Sequence, residues 1–163
     1  MASREPRSNG PVEIRRLSLL LIGLTLVQYL LGMVLNLFVV ISRQHPGASG
    51  SDYFVRAYQS MVWGLTHGGV LAFHIGLGIV LLLGSIRLAV ATWAVAQPRV
   101  RTVGVAGSLA ILAAAFNGAS FLNYNEDVNS MLMAAFFAIA LFCFAWTLFR
   151  ATTAAPEPQH SAG

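Results

Sequence analysis

Four long apolar runs constrain this chain more than any other feature of its sequence. They occupy residues 17–41, 61–86, 103–122 and 131–149, and none of them contains a charged residue. An apolar stretch of about 18 or more residues is long enough to cross the hydrocarbon core of a bilayer. Because hydrocarbon offers the backbone no hydrogen-bond partner, each run is predicted to be a helix. Short connections make neighbouring helices antiparallel, so we expect an all-α integral membrane protein, an up-down bundle of four transmembrane helices.

The composition excludes most soluble functions. Hydrophobic residues make up 56% of the chain and charged residues only 10%, whereas a soluble domain carries about 25% charged residues. Too few charges remain to cover a surface that faces water. This argues against a soluble enzyme and against a nucleic-acid partner, and it makes the lipid bilayer the expected surroundings. The single cysteine, Cys143, excludes an intramolecular disulfide and a cysteine-based zinc site.

The distribution of arginine predicts an orientation. Only Arg43 and Arg56 fall on one side of the predicted spans, and the other basic residues fall on the opposite side: Arg4, Arg7, Arg15, Arg16, Arg87, Arg99, Arg101 and Arg150. The positive-inside bias places the arginine-rich side in the cytoplasm, so both termini are predicted to be cytoplasmic. The chain contains no lysine and is rich in alanine, which is typical of a high-GC bacterium. We therefore expect a multi-pass protein of the bacterial cytoplasmic (inner) membrane.

The segments outside the spans divide into ends and loops. Residues 1–16 and 150–163 are short and polar, and they are predicted to be disordered on the cytoplasmic side. In the first outer loop, residues 42–60, Asp52 is predicted to N-cap an interfacial helix that runs into the second span. His45 in that loop is predicted to be a solvated side chain. The second outer loop, residues 123–130, is predicted to be a turn.

Few polar residues lie within the spans, and these are the candidate functional residues. His67 and His74 are two helical turns apart, so they share one face of a continuous second span. Counting residues inward from the outer end of each span gives the depth of each polar side chain in the membrane, and these depths predict two polar layers. The deeper layer pairs His74 with Gln28 or Tyr29. The layer nearer the outer face contains the remaining candidates, Asn36, His67, Asn117, Ser120 and Met131.

These layers are open to four interpretations. The polar side chains can simply join helices through hydrogen bonds. Imidazole and thioether can bind haem iron, with His67 and Met131 as the axial pair, or with His74 alone. The same ligands suit a soft ion such as Cu(I), although Met131 and Met133 are few for a relay. A path for protons or small solutes would lack an intramembrane carboxylate.

Two short motifs resemble a known family. The first span contains Val27-Gln28-Tyr29-Leu30-Leu31-Gly32, and Thr66-His67-Gly68 opens the second span. This arrangement resembles one four-helix half of the haem A synthase-type bundles and b-type cytochrome membrane proteins. Each half there carries one histidine at the outer start of its second helix and another on its fourth. His67 matches the first position, whereas the second falls near Met131, so the second histidine is absent, as are the family's extracellular acidic and cysteine residues.

The resemblance implies haem b ligation through His67, and the four-span layout is also similar to that of small bacterial membrane proteins. Two functional hypotheses follow. The first is a small non-enzymatic membrane protein, an accessory subunit that binds a membrane-protein partner or a second copy of itself. Small residues such as Gly104 and Ser108 would let two copies pack closely. The alternative is a haem b-binding electron-transfer or haem-handling protein with His67 and Met131 as axial ligands.

Overall fold

The described part of the chain is entirely helical apart from its connections. The computed structural model describes residues 10–93, 95 and 97–153. Within these residues there are five helices and no strand: α1 (Gly10–Phe38), α2 (Tyr53–His67), α3 (Gly69–Trp93), α4 (Pro98–Tyr124) and α5 (Asp127–Thr153). All except α2 are long and apolar enough to cross a membrane. The prediction of an all-helical protein with four membrane-length helices is confirmed.

The four long helices form a ring in which α1 and α4 each contact both α3 and α5. At one end of the α1–α3 interface Glu13 forms an ion pair with Arg87, and further along Gln28 bonds His74. Residue numbers rise along α1 as they fall along α3, so the two helices are antiparallel. α2 packs against α3 and α4 at one end of the ring, which we call the α2 end. The centre of the ring is filled by a cluster of buried apolar side chains, which includes Leu21, Leu81, Leu88, Ile111, Ala114, Phe137 and Phe144.

The first turns of α1 correct the predicted disorder of the N-terminal segment, because residues 10–16 are helical. Pro11 suits the first turn of a helix, since its φ is already helical and its missing N–H would have no intrahelical partner there. Glu13 is tied to Arg87 on α3, and Ile14 is buried. These tertiary contacts come from a residue more than seventy positions away, so they could not be read from the local composition.

The other helix ends also differ from the predicted spans. α1 ends at Phe38, and α4 begins at Pro98 and extends to Tyr124. Asn125 ends α4 in the left-handed conformation, and its N–H donates to the Phe121 carbonyl at 2.7 Å. α5 continues to Thr153, so residues 150–153 of the predicted disordered tail are helical. The rest of the predicted disordered ends, residues 1–9 and 154–163, lies outside the described residues.

The predicted second span is interrupted at Gly68. Asp52 does N-cap α2 as predicted, with its Oδ1 accepting a hydrogen bond from the Val55 N–H at 2.9 Å. However, Gly68 is extended (φ −121°, ψ 97°) and separates α2 from α3. A Cβ atom at this position would lie 2.9 Å from the Leu71 Cβ, so the close approach requires glycine. The prediction that His67 and His74 share one face of a continuous helix is therefore wrong.

Small residues bring α3 and α4 into close contact. A Cβ atom on Gly104 would lie 2.8 Å from Thr92 Cγ2, and the Ser108 hydroxyl donates to the Ser85 carbonyl across the same interface at 2.6 Å. These two residues were the ones that we expected to pack two copies of the chain together. They are instead used within one copy, because the α3–α4 contact already occupies that face of α4.

The α3–α4 contact can be tested by Gly104→Ala. The added methyl group overlaps Thr92, so the helices must separate, and we expect the free energy of unfolding to fall by about 1–3 kcal/mol. Reversible unfolding in mixed micelles measures the change. Gly76→Ala is the matched control, because a Cβ at Gly76 meets nothing within 4 Å. Equal effects of the two substitutions would contradict the close packing at Gly104.

Candidate functional site

A buried amide–imidazole pair joins α1 to α3. Gln28 on α1 is 2% exposed and His74 on α3 is 9% exposed. The Gln28 Nε2 lies 3.0 Å from the His74 carbonyl oxygen and 3.2 Å from the His74 Nε2. The deeper polar layer was expected to pair His74 with Gln28 or Tyr29, and the structure places Gln28 in this contact. Tyr29, the next residue of α1, is 42% exposed.

The geometry of this pair fixes its protons. An atom that faces a carbonyl oxygen at hydrogen-bond distance must be a donor, so the Gln28 Nε2 is the NH₂ group of the amide. Its second hydrogen faces the His74 Nε2, which must accept and therefore carries no proton. The neutral imidazole consequently holds its proton on Nδ1. Both donors of the Gln28 amide are used on the one residue His74.

Each residue of the pair has one polar side-chain atom without a hydrogen-bond partner. The Gln28 Oε1 and the His74 Nδ1 are buried and have no partner among the described residues. A buried polar atom without a partner costs about 1–3 kcal/mol, so such atoms are uncommon in proteins. Ser18 Oγ and Asn123 Nδ2 are further examples among the described residues, but the pair also lines a cavity. It offers one acceptor and one donor that no described residue uses.

Both residues line a cavity of about 420 Å³ inside the ring of helices. Most of its wall is aliphatic, with Leu35, Leu71, Ile75, Ile79, Leu82 and Ile111 among the lining side chains. Two glycines make room for the pair: a Cβ on Gly32 would lie 3.3 Å from the His74 Cε1, and one on Gly78 would lie 3.3 Å from the Gln28 Nε2. The cavity therefore combines a large, mostly apolar volume with a few polar groups, of which the Gln28–His74 pair is the buried one.

A second cavity of about 310 Å³ lies beside the first, between α1 and α5. Its wall shares Gln28, Gly32 and Asn36 with the first cavity and adds Asp127 and Met131 from α5. The exposed Asn36 and Asp127 make this second cavity more polar at the α2 end of the bundle. The side chain of Gln28 is thus reached from both cavities.

The α2 end of the first cavity is covered by the first loop and α2, residues 42–67, which we call the cover. Ala57, Tyr58 and Met61 of α2 form part of the cavity wall. Tyr53 at the start of α2 is held against α4, with its hydroxyl 2.9 Å from the Ser120 Oγ and 3.2 Å from a main-chain carbonyl of α4. The cover is therefore a folded part of the site and not a loose connection.

The cover also pairs the carbonyl groups at the C-terminal end of α4, which have no partner within that helix. The Arg56 guanidinium donates to Asn123 O at 2.9 Å and, within the loop, to Gly47 O at 2.9 Å and Ala48 O at 3.0 Å. It also lies over the ring of Tyr124, 4.7 Å from the centroid. One side chain thus fastens the loop, α2 and α4 together.

The environment of His45 also differs from the prediction. It was predicted to be a solvated loop residue, yet it is 8% exposed and its ring stacks on Trp63 with centroids 4.6 Å apart. Its Nε2 lies 3.2 Å from the Leu122 carbonyl, in the last turn of α4. The sequence does contain a signal for an ordered loop here, because Pro46-Gly47 favours a tight turn, and Ala48 N–H donates to His45 O at 3.0 Å.

The residues predicted for the outer polar layer are not assembled into one site. Asn117 Nδ2 donates to the Ala113 carbonyl of its own helix at 2.8 Å, and Ser120 is used by the cover as described. Asn36 and Met131 share the second cavity, with Met131 64% exposed. His67 is exposed at the end of α2 and makes its contacts with the neighbouring Thr66 and Trp63 of the same helix.

The structure does not bring His67 and Met131 together as a ligand pair. His67 is exposed at the end of α2 and lines neither of the two cavities, whereas Met131 on α5 lines the second one. The described residues also contain no cluster of three or more His, Cys, Asp or Glu side chains around a common point. His74 does line a cavity, but its Nε2 lone pair accepts a hydrogen bond from Gln28. The donor set therefore fits haem iron poorly.

No protein-family model, curated protein or solved structure matches this chain. The functional argument accordingly depends on the Gln28–His74 pair, the cavities and the cover.

The cover can be tested at Arg56. Arg56→Lys keeps the charge but cannot hold three carbonyl oxygens with one planar group, so we expect the free energy of unfolding to fall by about 1–3 kcal/mol. Hydrogen exchange followed by mass spectrometry should also show faster exchange in residues 45–50. Arg43→Lys, at an exposed position in the same loop, is the control. Unchanged exchange in Arg56→Lys would show that the cover is held by other contacts.

Proposed function

We propose that this chain is a small non-enzymatic membrane protein that binds a lipid-soluble molecule in the cavity beside Gln28 and His74. The observation that carries the proposal is that a buried amide–imidazole pair in a mostly apolar cavity wall has one acceptor and one donor without a partner among the described residues. Ligand sites are typically concave and mostly apolar, with a few converging polar groups. A polar residue inside a membrane bundle is itself costly and marks a functional position by default.

The chemistry of the ligand follows from the wall. The aliphatic lining favours a hydrocarbon or ring body, and the pair favours a polar group that donates to Gln28 Oε1 or accepts from His74 Nδ1. Both atoms are buried, so a ligand pairs with them when the amide or the imidazole turns about its last torsion angle. The wall contains no carboxylate or thiol among the described residues that line it, which supports binding rather than catalysis.

The excess of arginine at the opposite end of the bundle supports an orientation with both termini in the cytoplasm of a bacterium. The cover and both cavities then lie in the outer half of the cytoplasmic membrane. In this orientation the second cavity, between α1 and α5, provides a route from the outer leaflet to Gln28. A protein that holds an apolar molecule in this way suits the role of an accessory subunit, which stores or presents the ligand to a membrane-protein partner.

Binding of haem b is the alternative function, and the experiment must distinguish it from binding of an organic ligand. Of the ligands expected for haem iron, His67 lines neither of the two cavities, whereas Met131 lines the second one. His74 could bind iron through Nε2 only if Gln28 gave up its hydrogen bond to that atom. Iron would take the imidazole lone pair that Gln28 now uses, whereas an organic ligand would pair with the Oε1 and Nδ1 atoms that no described residue satisfies, which supports an organic ligand.

The test is to identify what the cavity holds. The protein is purified in mild detergent, its absorption spectrum is recorded, and bound compounds are extracted and identified by mass spectrometry. We expect an apolar compound with a polar group in stoichiometric amount in the wild type, and a strong loss of it in His74→Phe and in Gln28→Met, which keep the approximate side-chain volumes. His67→Phe, exposed and outside the cavity, is the control and should keep the compound.

The same variants separate binding from a purely structural role. Replacing one partner leaves the other buried and unpaired, whereas replacing both by apolar groups of similar shape is nearly neutral. We therefore expect the unfolding free energy of the ligand-free double variant Gln28→Met/His74→Phe to stay within about 1 kcal/mol of the wild type. Loss of the compound only together with loss of stability would favour helix joining as the role of the pair. A Soret band that disappears in His67→Phe would instead support the haem alternative.

A further inference from the structure

The imidazole of His45 in the cover faces a carbonyl oxygen at each of its nitrogens. Nδ1 lies 2.8 Å from Pro46 O, and Nε2 lies 3.2 Å from Leu122 O. A carbonyl oxygen can only accept, and a neutral imidazole has only one N–H to donate. The neutral ring therefore leaves one of these two oxygens facing a lone pair. Only the imidazolium, with a proton on each nitrogen, satisfies both.

The surroundings of His45 contain one feature that favours the positive charge and one that opposes it. Leu122 lies in the last turn of α4, where the helix dipole is negative and favours a cation. Arg56 on α2 fastens the same loop and brings a like charge. The ring of Tyr124 on α4 is covered by Arg56. Arg43 of the same loop and His67 of α2, which stacks on Trp63, are further titratable groups of the cover. Trp63 on α2 is neutral and stacks on the imidazole.

We propose that His45 is a proton-controlled latch of the cover. When both ring nitrogens are protonated, the imidazolium donates to Pro46 O within the loop and to Leu122 O of α4, so one charge-assisted bond orders the turn and the other joins it to α4. The ring also stacks on Trp63 of α2. When it loses a proton, one of the two bonds is lost and the loop loosens. The latch contributes stability to the cover at low pH, while the imidazole carries its second proton, and this contribution is lost when the pH rises and that proton leaves.

The latch also bears on the cavity, and this part rests on the proposed function. α2, which Trp63 links to His45, forms the wall of the first cavity at Ala57, Tyr58 and Met61. A fastened cover closes the α2 end of that cavity, and a loosened cover opens it. Acidification of the compartment that the cover faces is then expected to slow the exchange of the bound molecule.

The latch itself is tested without any ligand. The full chain in phosphatidylethanolamine–phosphatidylglycerol nanodiscs is studied by hydrogen exchange at several values from pH 5 to 8.5, with correction for the intrinsic pH dependence of exchange. Residues 45–50 are the reporter, because Ala48 N–H is bonded within this turn. We expect protection there to be roughly tenfold higher at pH 5 than at pH 8.5, the effect of one charge-assisted hydrogen bond.

Two variants assign that response to His45. In His45→Gln the side chain can still donate one hydrogen bond but cannot gain a charge, so protection of the loop should no longer depend on pH. In His67→Gln, which changes an exposed histidine of the same cover, the pH dependence should be retained. A response that persists in His45→Gln, or a wild-type loop whose protection does not change with pH, would overturn the latch. Imidazole ¹⁵N spectra at pH 5 give a direct check, since His45 should show two protonated nitrogens.

A separate experiment addresses the cavity. The rate at which the bound compound leaves the nanodisc is compared at pH 5.5 and pH 8 in the wild type and in His45→Gln. Slower release at pH 5.5 in the wild type alone supports control of access by the latch. A pH-dependent loop with an unchanged release rate refutes that control and leaves the latch supported. Absence of any bound compound refutes only the proposed function, because the exchange measurement does not use a ligand.

Discussion

Hydrocarbon offers the backbone no hydrogen-bond partner, and most of this structure follows from that constraint. Four long helices pair their own backbone groups over their length, and the described chain leaves helical geometry mainly at the α2 end and in the short connections. Where α4 stops, its last carbonyl groups must find partners elsewhere. The Asn125 N–H donates to Phe121 O, and the His45 imidazole lies at hydrogen-bond distance from Leu122 O. The Arg56 guanidinium donates to Asn123 O. The cover is thus ordered because it supplies hydrogen-bond partners for the last carbonyl groups of α4.

The same constraint makes the Gln28–His74 pair expensive. An apolar bundle would gain by replacing it, since each partner has one buried atom that no described residue satisfies. The surrounding sequence nevertheless makes space for the pair, with Gly32 close to the imidazole and Gly78 close to the amide. A Cβ atom at either glycine would already lie 3.3 Å from the pair, so larger apolar side chains, which would fill the cavity better, fit there only without the amide and the imidazole. An arrangement that gives up both packing and hydrogen bonds at one point is more readily explained by a ligand than by stability.

Much of the fold could be predicted from the sequence, because apolar length and charge are local properties. The four membrane-length helices and the N-cap at Asp52 follow from short segments of sequence. The failures share a different origin: each depends on a partner far along the chain. Burial of His45 requires Leu122, the helical start of α1 requires Arg87, and the packing of Gly104 requires Thr92. At the site, depth alone placed Gln28 or Tyr29 beside His74, but depth could not distinguish between the two or reveal which atoms of the pair lack a hydrogen-bond partner.

The interruption at Gly68 connects these features. A continuous helix through this position would carry residues 53–67 along the axis of α3, away from α4. The Arg56 guanidinium could not then reach the end of α4, and the tyrosine at position 58 could not form part of the cavity wall. Because the chain turns at Gly68, α2 packs across α3 and α4 and covers the space beside His74. The exposed position of His67 is a consequence of the same turn. His67, the candidate haem ligand of the sequence, therefore lies at the break between the cover and the bundle. The histidine that lines the cavity is His74, on the helix after the break.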